Sequence, residues 1–132
     1  VLAMMVEAAL LAPVTAQPSL PLFGAEGLDV EPEVLAFASN RADAMSLLGL
    51  RFADDPLCPA ARFQRLDASL NSTPGSTTAR FRSVTVPGKG HSTLTFDYQA
   101  ALERGVDTRE LLLRHLRQQL LSPDVSQDTS LS

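Results

Sequence analysis

The sequence predicts an α/β protein: three parallel strands alternating with helices. Three observations carry this. Residues 47–52, Leu-Leu-Gly-Leu-Arg-Phe, form a short, nearly continuous apolar run of strand length, the pattern of a strand covered by helices on both faces. Stretches with helical spacing flank it on either side. Two of the three expected strands then break into polar loops, Asp54-Asp55-Pro56 after the second and Pro87-Gly88-Lys89-Gly90-His91 after the third. Just beyond the carboxyl ends of the strands is where parallel sheets hold ligands and reactive groups.

The first half of the chain alternates helix and strand. Residues 2–11 are rich in Ala, Leu and Met, strong helix formers, and predict a helix that is apolar on nearly every side and therefore buried. Pro13 stops it, and residues 12–16 predict a short first strand. Pro18, Pro21, Gly24 and Gly27 predict an extended loop over residues 17–27. Pro32 suits a first helical turn, so residues 31–43 predict a helix with Val34, Leu35, Phe37 and Ala38 on one face.

Residues 45–52 are the second strand and 53–59 the loop after it. Ala60–Leu70 is an amphipathic helix, with Phe63, Leu66 and Leu70 spaced by three and four. Residues 71–78 are turn-rich, and Phe81–Val86 is the third strand. Asp107 or Thr108 is placed to cap a last helix over 109–121, whose Leu112, Leu113, Leu116 and Leu120 form an apolar stripe. Arg114, Arg117 and Gln118 then form a solvated face, and His115 is expected in a solvated or dipole-favoured place near the helix end. The domain is expected to run over residues 1–121, with 122–132 a polar, fraying tail.

Composition narrows the classes of function. A net charge of −4 without a Lys/Arg cluster argues against nucleic acid as a partner. The N-terminal apolar stretch is interrupted by Glu7 and Pro13 and lacks a basic start, so it reads neither as a signal peptide nor as a membrane span, which needs roughly 20 apolar residues. Cys58 is the only cysteine. It excludes an internal disulfide, and a reduced, cytoplasmic setting is expected.

The two loops are candidates for chemistry because parallel neighbours lie about 4.8 Å apart, so residues past both carboxyl edges come within reach. An Asp there can hold the Nδ1–H of a histidine and stabilise its imidazolium during general base catalysis. The same Asp-Asp-Pro also suits a plain turn, and a histidine after Pro-Gly suits a plain loop. Cys58 has no base set for it by the sequence, and Ser19 lies in a proline-rich loop. Gly88-Lys89-Gly90 does not complete a phosphate-binding loop. Two His and one Cys give no metal-ligand spacing, so no metal and no other cofactor are expected.

Asp55-Pro56-Leu57-Cys58-Pro59 resembles the Asp-x-x-Val-Pro acid loop of the dienelactone hydrolase family, and Val86-Pro87-Gly88-Lys89-Gly90-His91-Ser92 resembles its Pro-Gly-x-x-His loop. Gln17-Pro18-Ser19-Leu20-Pro21, Leu48-Gly49-Leu50-Arg51-Phe52 and His91-Ser92-Thr93-Leu94-Thr95 are similar to a bacterial branch of that family. The resemblance reaches from near the start of the chain to about residue 121. It implies an α/β-hydrolase fold and hydrolysis of small esters or lactones through an acyl-enzyme. It gives the acid role to Asp55 rather than Asp54, through the spacing to Pro59, and the general-base role to His91.

The triad order of that fold is nucleophile, acid, histidine, yet no Gly-x-Ser-x-Gly or Gly-x-Cys-x-Gly occurs in the sequence. The resemblance therefore implies the C-terminal part of such an enzyme, with the nucleophile ahead of Val1 and no activity in this chain alone. The rival expectation is a non-catalytic module that forms a homo-oligomer through an exposed strand edge.

Overall fold

The computed structural model describes residues 1–18, 27–28 and 30–121. The expected tail at 122–132, Ser19 and most of the expected extended loop at 17–27 lie outside them. Three strands, β1 (Val14–Ala16), β2 (Leu47–Phe52) and β3 (Phe81–Val86), form one parallel sheet in the order β1-β2-β3. All six residues of β2 are buried, because it is the central strand and is covered on both sides. Arg82, Ser83 and Thr85 of the edge strand β3 are exposed.

Among the described residues four α-helices flank the sheet: α1 (Pro32–Ser39), α2 (Ala60–Leu70), α3 (Tyr98–Glu103) and α4 (Thr108–Leu121). The crossover helices α1 and α2 pack together, over a core of Met5, Leu35, Ala38, Met45, Leu47, Cys58, Phe63, Leu66, Leu70 and Phe81. Successive side chains of a strand point to opposite faces. Leu47 therefore enters this core, whereas Phe52 joins Val86, Ala101 and Val106 in a second cluster beneath α3. Gly49 lies on the α2 face, where a Cβ would stand 2.6 Å from the Phe81 ring. Its bare backbone leaves room for the edge-to-face pair of Phe63 and Phe81, whose centroids are 5.4 Å apart.

The boundaries of α2 and β3 agree with those read from the sequence. Other expectations need correction. The N-terminal segment is not a long buried helix: only Leu2–Val6 is helical, as a 3-10 helix, and only Met5 is buried. Arg41 supplies the reason. Its guanidinium donates to the carbonyls of Met5, Glu7 and Leu10, groups that a continuing α-helix would have used internally. An uncapped helix of ten residues is marginal in water, so these tertiary donors prevail.

Helix α1 ends at Ser39 rather than reaching residue 43, because Asn40 turns back and its side-chain amide donates to Ala36 O at 2.8 Å. On that helix Leu35 and Ala38 are buried while Phe37 is 56% exposed. The six-residue α3 was not anticipated; it is too short to show a helical period. Asp107 caps α4, accepting the N–H of Glu110 at 3.0 Å.

The face α4 buries is also not the expected leucine stripe, since Leu113 and Leu120 are exposed and Thr108 and His115 are buried. His115 is not solvated: it is 2% exposed, donates from Nε2 to Pro13 O at 3.1 Å and accepts at Nδ1 from Arg82 at 3.0 Å. Burial and the neighbouring Arg82 cation both push its pKa below the usual histidine value, so it stays neutral. No helix among the described residues is long and apolar enough to cross a membrane.

Candidate active site

The site forms where β2 and β3 end. The strand ladder continues into the two loops, with Ala53 N donating to Val86 O at 2.8 Å and Asp54 N to Gly88 O at 3.1 Å. The loops thus leave the sheet side by side. In the first, Asp55 N reaches back to Phe52 O, and Cys58 N closes a turn on Asp55 O. Asp55 Oδ1 accepts the Leu57 N–H at 2.9 Å, an Asx turn for which this residue type is suited.

Two buried arginines fix the outside of this loop. Arg51, the one charged residue of β2, donates to Cys58 O at 2.8 Å and Ala53 O at 2.9 Å. Arg62, from the first turn of α2, donates to Leu57 O at 2.9 Å and also to Pro18 O and Gly27 O. Sequence reasoning missed both roles. Arg51 gave a usable signal, being a cation inside an otherwise apolar strand.

The second loop needs its glycines. Gly88 adopts φ +82°, a conformation that only glycine takes at no steric cost. Gly90 lies against the Phe52 ring, where a Cβ would come within 2.5 Å of a ring carbon. Arg104, from the end of α3, donates to Lys89 O at 3.0 Å and stands 5.7 Å above the same ring. The turn is thus pressed down onto the end of β2, and His91 is brought over Asp55.

His91 Nδ1 and Asp55 Oδ2 are 2.6 Å apart. The Asp55 side chain is 1% exposed and that of His91 is 37% exposed. The carboxylate can only accept, so the ring proton sits on Nδ1 and the lone pair of the neutral ring is at Nε2. Nε2 makes no hydrogen bond to a described residue. A buried carboxylate holding a partly open imidazole by Nδ1 is the arrangement that lets a histidine take and return a proton.

Asp55 and His91, the two site residues read from the sequence, are brought together, and Asp54 is exposed outside the contact. Cys58 is fully buried in the apolar core, where burial raises its thiol pKa; such a thiol is a poor nucleophile. Among the described residues no three His, Cys, Asp or Glu side chains gather as metal ligands would. No protein-family model, curated protein or solved structure matches this chain.

Proposed function

We propose that Asp55 and His91 are the acid and general base of a dienelactone hydrolase-like enzyme acting on small esters or lactones. The nucleophile comes from residues outside these 132. The observation that carries this reading is the 2.6 Å contact between a buried carboxylate and an open imidazole at adjacent strand ends. His91 Nε2 takes the proton of the attacking Ser or Cys and passes it to the leaving group. It then activates the water that releases the acid product. Asp55 keeps the ring in the correct tautomer and stabilises the imidazolium formed in each step. No cofactor enters this chemistry, and the single cysteine favours a cytoplasmic setting.

Hydrolysis of p-nitrophenyl acetate tests it, with His91→Ala as control. The chain alone is expected to show no turnover above the variant, and extension upstream to include an elbow should restore activity. Turnover by the chain alone that His91→Ala abolishes would mean that a nucleophile lies within these residues.

A second reading has an observation of its own. Among the described residues strand β1 pairs only with β2, and Val1, Met4, Val6, Leu11 and Phe37 are exposed on the N-terminal segment and α1. A free strand edge beside exposed apolar side chains favours a homo-oligomer, in which the retained loops need not turn over. A self-associating chain that stays inactive after upstream extension would favour this alternative.

A further inference from the structure

We propose that Asp97 is a positioning residue for His91, gripping the backbone of the histidine while Asp55 grips its ring. The inference rests on reading Asp55 and His91 as an acid–base pair. Asp97 precedes α3 in the N-cap position, yet its side chain makes no cap hydrogen bond to that helix. Its Oδ2 turns to the histidine loop instead and accepts the N–H of His91 at 2.8 Å and of Ser92 at 2.9 Å. The N–H of Asp97 in turn donates to Ser92 O at 3.0 Å, closing a small ring of bonds around the segment.

The other side-chain anchors bond neighbouring residues: Arg104 holds Lys89 O ahead of the histidine, and two more act farther along. Gln17 Oε1 accepts from Thr93 Oγ1 at 2.9 Å, and Thr108 Oγ1 donates to Thr93 O at 2.5 Å. Both hold Thr93, two residues past the histidine. Asp97 alone among the described side chains bonds the His91 backbone. The turn before His91 contains Gly88 and Gly90, which are intrinsically permissive, so an anchor at His91 itself decides where the ring points. The two backbone donors hold the Asp97 carboxyl below the usual carboxylate range. It is therefore an anion at neutral pH, and its hydrogen bonds to the two amides are charge-assisted.

Proton NMR on the full chain at neutral pH provides the test, following the His91 ring Nδ1–H. A carboxylate partner moves that proton downfield and slows its exchange. A downfield signal that disappears in Asp55→Ala identifies it. Asp97→Ala should also lose it while the amide signals of α2 and β2 stay in place. Asp97→Asn, which keeps an acceptor oxygen but no charge, should recover the signal with exchange about tenfold faster than in the wild type.

An undisturbed ring signal in Asp97→Ala overturns the role of Asp97 and leaves the acid–base pair standing. A wild type without any such signal overturns the pair, and the positioning role with it. Where Asp97→Ala does not fold, Asp97→Asn decides: ring-proton exchange equal to the wild type overturns the proposal.

Discussion

The two ends of this small sheet are built in opposite ways. At the β2–β3 end, polar groups are gathered and matched. Asp55 takes an amide and an imidazole, Asp97 takes two amides, and Arg51, Arg62 and Arg104 each donate to loop carbonyls. At the N-terminal end, beside β1, apolar side chains face outward: Val1, Met4, Leu11 and Phe37 are each more than half exposed. The first arrangement commits many donors and acceptors to holding two side chains in one geometry, as a preorganised site requires. The second leaves apolar surface uncovered, as interaction surfaces do. The candidate site and the exposed apolar side chains are thus separated across one sheet, and substitutions can address either without the other.

The largest expected effect lies on the site side. Phe52 is fully buried and carries the Gly90 backbone on its ring. Phe52→Ala should destabilise the fold by about 3–5 kcal/mol through the cavity it opens. It should also free the histidine loop, so amide exchange in residues 88–92 should rise more than in α2. Equal acceleration in both places would mean that the loop has no local dependence on this ring.

An intermediate effect is expected at His115, which ties the residue ahead of β1 to the start of β3 by bonding Pro13 and Arg82. Its folded-state pKa is depressed, so the unfolded chain binds the proton more readily. Its contribution to stability is complete above the ordinary histidine value of about 6.5 and declines as pH falls below it. Urea midpoints should drop between pH 8 and pH 5.5 in the wild type, and this drop should be smaller in His115→Leu. The variant leaves Pro13 O bonded to Leu48 N, so a comparable pH dependence in both proteins would remove His115 from the explanation.

The smallest effect on stability belongs to the exposed end. Phe37→Ser replaces a side chain that is 56% exposed and should change stability by no more than about 0.5 kcal/mol. Its consequence should appear in association, as a lower sedimentation-average mass at high protein concentration. An unchanged mass would show that this apolar surface does not drive self-association.

Some of these features were legible in the residue order. The continuous apolar run of β2, the bounds of α2 and β3, and the two polar loops at the strand ends all arise from local patterns, because period and burial are linked within one element. Asp55 and His91 were candidates for the same reason: each sits just past a strand.

Tertiary structure alone decided the remainder. The Asp55 carboxylate meets the His91 ring, a contact between residues 36 apart in sequence. Arg41 draws the carbonyls of the N-terminal segment out of a helix from more than 30 residues away. His115 is buried because Pro13 and Arg82 satisfy both ring nitrogens, and Asp97 serves His91 rather than its own helix. Each is a choice among polar partners. A chain advertises its apolar faces by periodicity, whereas a hydrogen-bonding group takes whichever partner the completed fold brings within about 3 Å.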